Sequence, residues 1–554
     1  MPNPLFLEKA QNAFLARGDS LAAAFLGAAR KDPLVKVEYS PEKDPFLNVG
    51  GVFQDSPRNP RGTVEKFLAQ NYPDLQGEVF LFGLGSPLLG KLLGEKALKL
   101  SVFECFSTVA RTFFSLYDLE SEIKSGRLSF FSPWSLAQAT PLPRGENLTF
   151  ITHPGSLRAS PGLYHKVRLN LVGPRLLPTP SAEPSFNNLK PKFHESLKLM
   201  IVPPFSGGSL SLGFFLKKAA EILRIPVLLL DYSQELKNRE KILREQASAP
   251  EKTPAKLLKT LFQDSAQEVF LNAKNFKPHL ILALAQAPLD LEGLVLLKEK
   301  LPQTLLAFWF VEDYLRFTYF RDLAPLYDLF FHIQGPLFQE VSKDLGLLHA
   351  HYLPLAADPD FFRPQKSLEK YQALVSFMGA PYPNRRQIFL DLVENYWEKQ
   401  PKPLHSLKIF GAGWKNCHPK LQPYIFENGR RITTAESALI YSGGTINLNI
   451  HSGSGMGFCP ESGFVNPRTF EIAASGAFQL LDKRSLLGDL FDTNEVVSVE
   501  DPGELPELIE FYLNNPKLRE KMGEASRQQI LRSHLFTHRL KTIIKLAKTA
   551  SNYG

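Results

Sequence analysis

The residues of this chain whose types and order best suit chemistry run Asn466-Pro467-Arg468-Thr469-Phe470-Glu471-Ile472-Ala473-Ala474-Ser475-Gly476-Ala477-Phe478-Gln479-Leu480-Leu481-Asp482. They read as an acidic helix start, a small-residue helix, a glycine stop and a buried strand, a layout that suits a nucleotide. Glu471 falls in the expected first turn, where a carboxylate can hold both ribose hydroxyls of a nucleotide. The helix's free N–H groups and positive dipole end face the diphosphate. Ala473, Ala474, Ser475 and Gly476 let the helix lie close to the strand that follows. The same residues also compose an ordinary αβ unit with a capping glutamate, so the flanking sequence has to decide.

Something must position that segment, and the chain is long enough to do so. Its 554 residues correspond to about three domains of usual size. At 44% hydrophobic and 22% charged residues it has the composition of a globular protein, not a disordered one. The formal charge of +8 favours anionic partners, but 64 basic against 56 acidic residues is a mild excess with no long Lys/Arg block. Nucleic-acid binding is therefore not expected. Cys105, Cys417 and Cys459 are scattered without a CxxC spacing, which argues against a disulfide framework and fits a reducing cytoplasm. The N-terminus lacks a signal-peptide pattern and no apolar run has the length of a membrane span, so a cytoplasmic location without an integral membrane segment is expected.

Residues 172–192 contain five prolines and few large apolar side chains, and read as an extended linker. Before it, Val79-Phe80-Leu81-Phe82, the turn Gly83-Leu84-Gly85, a helical pattern and Leu100-Ser101-Val102-Phe103-Glu104 spell strand, glycine turn, helix, strand, acid. Glu104, about 20 residues past the turn, suits a ribose contact, although the glycines depart from the dinucleotide fingerprint. After the linker, 199–204 is a buried strand, Phe205-Ser206-Gly207-Gly208-Ser209 a glycine turn, and 212–223 an amphipathic helix. Further strands are expected at 226–231, 279–284, 304–310 and 329–333, and a third set at 373–378, 407–410, 445–450, 478–481 and 496–499. The charged stretch 235–259 reads as a solvated excursion. Pro506 is placed to open a helix over 507–513, and Pro516 another that runs to about residue 548 and reaches back across an interdomain groove. Two similar αβ domains in tandem put their strand C-termini, and any ligand, in the cleft between them.

From about 265 to 545 the chain resembles the spore-maturation CgeB-type glycosyltransferases. The resemblance rests on Ala307-Phe308-Trp309-Phe310-Val311-Glu312-Asp313-Tyr314, Tyr352-Leu353-Pro354-Leu355-Ala356-Ala357-Asp358-Pro359, residues 466–480 and His534-Leu535-Phe536-Thr537-His538-Arg539. It implies an α/β fold with two tandem Rossmann-like domains in a GT-B arrangement, preceded by an additional Rossmann-like domain. The expected boundaries are 1–171 for the accessory domain, 172–192 for the linker, 193–364 for the acceptor-side domain and 365–554 for the nucleotide-sugar donor domain with its crossing helix. By the resemblance, Glu471 accepts the ribose hydroxyls, Phe470 and Gly476 shape that wall, and Arg468 stands near the phosphates. Gly379 with Arg385 and Arg386 resembles the turn that meets the diphosphate, where a guanidinium neutralises the leaving group. Gly411 and Lys415, in Gly411-Ala412-Gly413-Trp414-Lys415, place a turn and a cation at the nucleotide or form an ordinary tight turn.

The chain also departs from the pattern. Many related retaining enzymes space two glutamates by seven residues, whereas nine separate Glu461 from Glu471. The loop Ser452-Gly453-Ser454-Gly455-Met456-Gly457 either closes on the donor sugar or is a surface loop. Glu312 and Asp313, ending a strand on the acceptor side, are the best-placed carboxylates for a base, or they cap the next helix. Gly207, Gly208 and Ser209 form the expected loop at the cleft. Asp358-Pro359-Asp360 matches a metal-binding D-x-D, but the resemblance puts it in the interdomain connection, so no metal or other cofactor is expected. His534 and His538 are four apart, as on one helical face. They read as surface or interdomain contacts.

The first 170 or so residues resemble the Rossmann-like domain of motility accessory factor proteins, on Phe82-Gly83-Leu84-Gly85-Ser86, Glu104 and His153-Pro154-Gly155-Ser156-Leu157-Arg158. The combined expectation is a metal-independent glycosyltransferase moving a sugar from a nucleotide-sugar donor to a protein or glycan acceptor, flagellin or a surface polymer among them. Two rivals stand beside it: a catalytically inactive GT-B-like scaffold that binds nucleotide or glycan, and a methyltransferase built on Gly83, Gly85 and Glu104.

Overall fold

Three parallel sheets follow one another along the chain in the computed structural model, behind a small antiparallel one. The structure describes residues 3–552 apart from 29–34, 43, 50–51, 54–56, 74, 86, 139, 144–147, 173–196, 206–209, 231, 233–253, 348–349, 400–405, 454, 456 and 459–462. The expected linker and Gly207, Gly208 and Ser209 lie outside the described residues, as does most of the charged excursion; from Pro254 the chain is helical to Phe276.

Strands β1 (Val35–Tyr39), β2 (Pro45–Val49) and β3 (Val52–Phe53) form the antiparallel meander. Strands β4 (Glu78–Phe82), β5 (Lys99–Phe103), β6 (Leu128–Phe131) and β7 (Thr149–Thr152) form a parallel sheet in the order β6-β5-β4-β7. The second sheet holds β8 (Leu199–Val202), β9 (Val227–Leu229), β10 (Leu280–Leu284), β11 (Leu305–Phe310), β12 (Leu329–His332) and β13 (Ala350–Tyr352), ordered β13-β12-β11-β10-β8-β9. The third holds β14 (Ala373–Met378), β15 (Leu407–Phe410), β16 (Gly444–Asn449), β17 (Gln479–Asp482) and β18 (Val497–Val499), ordered β15-β14-β16-β17-β18. Every residue of β8, β10 and β11 is buried, as covering both faces of a parallel sheet requires. Two doubly wound domains in tandem behind a smaller Rossmann-like unit are the GT-B arrangement with an additional α/β domain in front.

The helices that matter for the site are α1 (Pro161–Val172), α2 (Leu210–Ile222), α3 (Pro383–Asn395), α4 (Thr434–Gly443), α5 (Pro467–Ala474), α6 (Leu505–Asn514), α7 (Pro516–Ser533) and α8 (Phe536–Asn552). Proline at the first turn opens α3 and α5, where its missing N–H costs nothing. The Asn466 side chain caps α5 by accepting from Thr469 N at 3.1 Å.

One expected helix is two. The run from Pro516 breaks at His534-Leu535, although neither proline nor glycine stands there. The backbone at the break is used by the interdomain connection: Ala357 N donates to His534 O at 3.0 Å and Ala357 bridges Leu535 in parallel. The buried Arg539 guanidinium donates to Pro354 O at 2.6 Å and Leu355 O at 2.7 Å. From there α8 returns to the second domain, where Phe536 stacks on Phe215 of α2 with ring centroids 5.4 Å apart. His534 and His538 therefore do not share a helical face. His534 ends α7 and meets Leu490 O at 3.1 Å, and His538 accepts from Leu535 N at 3.1 Å to cap α8.

The first Rossmann-like unit docks on the second domain through α1. A Cβ on Gly162 would lie 1.8 Å from Asp322 O, so only glycine allows that approach. Lys166 of α1 reaches Gly346 O at 3.5 Å, and burial pushes its ammonium down to about 8.

Candidate functional site

The C-terminal ends of β14 and β16 form a rim on which two guanidinium groups converge. Gly379 follows β14, and its N–H donates to Phe410 O at 2.9 Å, tying the turn to β15. A Cβ at Gly379 would stand 2.5 Å from Arg468 Nη1 and 3.1 Å from Arg385 Nη1, so the two side chains fit only because this residue has none. Arg385, in the first turn of α3, donates through Nε to Ile450 O at 3.0 Å and through Nη1 to Ala380 O at 3.0 Å. Arg468, in the first turn of α5, donates to Met378 O and, at 3.1 Å, to Ile450 O. Neither forms a carboxylate ion pair among the described residues. Burial, and then the like charge of Arg468, pushes Arg385 well below the usual guanidinium range. Burial lowers Arg468 as well. Two buried guanidinium groups held by backbone carbonyls, at a strand rim beside a helix N-terminus, are an arrangement suited to an anion.

Glu471 stands one turn further along α5. The helix begins at Pro467, so Glu471 belongs to the second turn and not the first as expected; the Asn466 cap moves the start. Its Oε2 accepts from Tyr441 OH at 2.9 Å, and its Oε1 has no hydrogen bond among the described residues. Burial raises its carboxyl to about 7, against the opposing pull of Tyr441 and Arg468. It is a carboxylate with one oxygen fixed and the other available.

A buried polar layer holds this rim, and the sequence reading passed over it. In β16 and the residue pair after it, Ile446, Leu448 and Ile450 face one core while Asn447, Asn449 and His451 face α4 and α5. Asn449 donates to Thr469 Oγ1 at 2.9 Å and accepts from Asn466 Nδ2 at 2.9 Å. The fully buried His451 contacts Asp482 Oδ1 through Nδ1 at 2.7 Å and accepts from Asn466 N at 2.9 Å. Asp482 is also paired with buried Arg484. Burial, then the Arg484 charge, lowers the His451 imidazole to about 3; against its own burial, Asp482 is held below the usual carboxylate range by His451 and Arg484. Asn384 fastens α3 to the same place, donating to His451 O at 2.9 Å and accepting from Gly453 N at 2.9 Å. The signal was legible: polar residues at every second position of an otherwise apolar strand mark one face as hydrogen-bonded.

The other expected donor-side residues are placed differently. Arg386 is exposed on the far side of the turn from Arg385. Gly411 lies against the rim, with a φ of +125° and its Cβ position 2.5 Å from Gly379 O. Trp414 Nε1 donates to that same oxygen at 2.7 Å, while Lys415 is exposed. Phe470 is a core residue, packed on Phe491 and His534. Gly476 ends α5 in the left-handed region, and its carbonyl is closely approached by Gly523 of α7. Glu461 and Cys459 lie outside the described residues.

On the acceptor side, Glu312 and Asp313 follow β11 and behave unlike each other. Glu312 Oε2 accepts from Tyr319 OH at 2.8 Å and Oε1 from Gln286 Nε2. Burial raises its carboxyl, against those two donors. Asp313 is buried and caps its own turn, accepting from Leu315 N at 3.0 Å. Asp358 and Asp360 both bind Lys218 of α2 at 2.8 Å, which places this D-x-D in a salt-bridged turn of the interdomain connection.

In the first unit the glycine turn is filled from within. A Cβ on Gly83 would lie 2.0 Å from Ser156 Cβ, and one on Gly85 2.2 Å from the His153 ring. Glu104 does not face a ribose site: its oxygens accept from Leu84 N at 2.8 Å and Phe106 N at 2.9 Å, and burial raises it to about 7.

A cationic rim with a neighbouring carboxylate thus stands at the strand ends of the second of two tandem αβ domains. Residues 385–545 match the family described as Glycosyl transferase-like. Over 202 residues the chain is 25% identical to the spore protein CgeB of Bacillus subtilis (strain 168), covering 35% of this chain and 60% of that relative. The chain thus spans under two thirds of the relative's length. Among solved structures it is similar to sucrose-phosphate synthase of Thermosynechococcus elongatus, at 11% identity over 65% of this chain and 100% of that one, with a TM-score of 0.45. It is also similar to HepE of Anabaena in complex with UDP-glucose, at 12% identity over 64% of this chain and 100% of that one, with a TM-score of 0.42. Among the described residues no helix is long and apolar enough to cross a membrane.

Proposed function

We propose that this chain is a glycosyltransferase that takes a sugar from a nucleotide-sugar donor and gives it to a protein or surface-glycan acceptor. The observation that carries the reading is the pair Arg385 and Arg468, meeting over Gly379 without a carboxylate ion pair among the described residues, Arg468 one helical turn from Glu471. Removing two like charges from water costs several kcal/mol, and a diphosphate offsets that cost where backbone carbonyls alone do so only in part. Glu471 Oε1 then accepts from the ribose, with Tyr441 holding Oε2. The guanidinium pair supplies the positive charge that a metal brings to other transferases, which supports a metal-independent reaction needing no cofactor.

For the acceptor, Glu312 is the favoured proton-taking group. Its carboxylate lies at the strand end of the acceptor-side domain, and burial raises its carboxyl, which makes it a stronger proton acceptor than a solvated glutamate. Asp313 is spent on its turn and is set aside from this role. The experiment is a thermal-shift and calorimetric screen of the purified protein against UDP, GDP, CDP, dTDP and their common sugars. A shift for one of them, lost in Glu471→Ala, supports the reading and names the base. No shift with any of them from a folded sample overturns it.

A further inference from the structure

The guanidinium pair has a third member that comes from the other domain. Arg316 lies in the turn after β11, four residues past Glu312, and is exposed. Its guanidinium carbon stands 4.1 Å from the centroid of the Tyr382 ring, and Tyr382 caps α3 in the donor-side domain. The same ring carries Arg385 at 5.0 Å. Arg385 and Arg468 in turn face the Phe377 ring at 5.3 and 5.4 Å. Cation and ring thus alternate across the cleft in the order Arg316, Tyr382, Arg385, Phe377, Arg468.

A guanidinium over an aromatic face is held by the ring quadrupole while its N–H edge stays free to bind anions. None of the three arginines has a carboxylate ion pair among the described residues, and the charge of Arg316 bears on both Arg385 and Glu312. Like charges brought this near repel one another, and an anion shared among them relieves that repulsion. Two of them sit on the donor-side domain and one on the acceptor-side domain, so an anion bound to all three gains more when the domains are closed.

We propose that Arg316 is the acceptor-side domain's contact to the donor diphosphate, held ready on the Tyr382 ring, so that the phosphates draw the two domains together. This rests on the donor reading of Arg385 and Arg468 above and adds to it a residue from outside the donor domain. It also places a cation between the diphosphate and Glu312, on the side where the acceptor enters.

The test uses the full chain with inorganic pyrophosphate, with the nucleoside diphosphate that gives the largest thermal shift, and with the matching nucleoside. Binding is read by calorimetry and closure by small-angle scattering. Arg316→Ala is expected to weaken pyrophosphate and nucleoside diphosphate about tenfold, in line with a charge-assisted contact, to leave nucleoside affinity unchanged, and to abolish diphosphate-induced compaction. Arg316→Lys, which keeps the charge, is expected to recover part of the affinity. If Arg316→Ala binds and compacts like the wild type while Arg468→Ala loses diphosphate affinity, the proposal for Arg316 is overturned and the donor reading stands. A fall in melting temperature with unchanged affinity and compaction overturns it too, by leaving Arg316 a purely structural stacking role. If the wild type binds neither pyrophosphate nor any nucleoside diphosphate, the donor reading itself fails.

Discussion

Arg468 and Glu471 leave one helix a single turn apart and are turned to opposite tasks. Arg468 reaches back to the carbonyls of Met378 and Ile450, at the ends of two neighbouring strands, and Glu471 reaches Tyr441 on the adjacent helix. No ion pair joins them, although each acts on the other's ionisation. A charge pair that could have closed on itself is instead held open by hydrogen bonds to third parties.

Glu471→Ala removes the free carboxylate oxygen and is expected to weaken nucleotide binding about 10- to 100-fold, the ~1.5–3 kcal/mol of hydrogen bonds to a charged group. The fold stays intact, since the lost partner is a single tyrosine hydroxyl. Calorimetry against the best nucleotide, with a melting curve as control, checks both halves.

The same carboxyl sets a pH dependence. Glu471 titrates at about 7 in the unliganded protein, and accepting two ribose hydroxyls favours its charged form. Nucleotide affinity is therefore full above that pH and falls as pH drops through it, by up to about tenfold per unit. In Glu471→Gln the residual affinity should lose this dependence between pH 5.5 and 8; a titration of Kd across that range decides it.

Arg468→Ala should separate phosphate from nucleoside recognition. Loss of a charge-assisted contact is expected to weaken the nucleoside diphosphate about 10- to 100-fold and the nucleoside little. Equal losses for both ligands would place Arg468 in the scaffold alone. Arg386→Ala, on the exposed side of the turn, should bind both ligands as the wild type does.

Glu312→Gln preserves the size of the side chain and its contacts to Tyr319 while removing the base. Turnover is expected to fall about 10²- to 10⁴-fold with donor affinity unchanged. Steady-state kinetics on a donor identified by the binding screen, with donor hydrolysis as the readout if no acceptor is known, tests this.

Asp482→Asn should be costly for a reason unrelated to ligands. The residue is fully buried with His451 and Arg484, and replacing it removes the carboxylate of a buried ion pair. A loss of about 3–5 kcal/mol is expected. Denaturant unfolding monitored on the intact chain measures it.

Twelve of the eighteen described strands were legible from the sequence, most of them to within one or two residues, because parallel strands covered on both faces are short apolar runs bounded by turns; β1, β2, β3, β6, β7 and β13 were not read. So were the proline openings of α6 and α7 at Pro506 and Pro516, whose cause lies within one turn of chain. The glycine stop at Gly476 is equally local. These features depend on residues that are near neighbours in sequence, and sequence order is enough to read them.

Other features required the tertiary structure, because their partners are distant in the chain. Nothing local distinguishes Arg385 from Arg386; the sheet edge selects the first, whose Nε finds Ile450 O, and leaves the second in solvent. Nothing local ends α7 at Ser533; a backbone bond from Ala357 in the interdomain connection does. Glu104 carries the right spacing for a ribose contact, yet its own turn takes both oxygens once His153 and Ser156 fill the crevice. Residue types and spacing determined which elements form and which side chains are able to do chemistry. Which of those side chains meet was decided by long-range contacts: a helix or strand presents several polar groups, and only packing against remote elements determines which ones are satisfied and which remain open for a ligand.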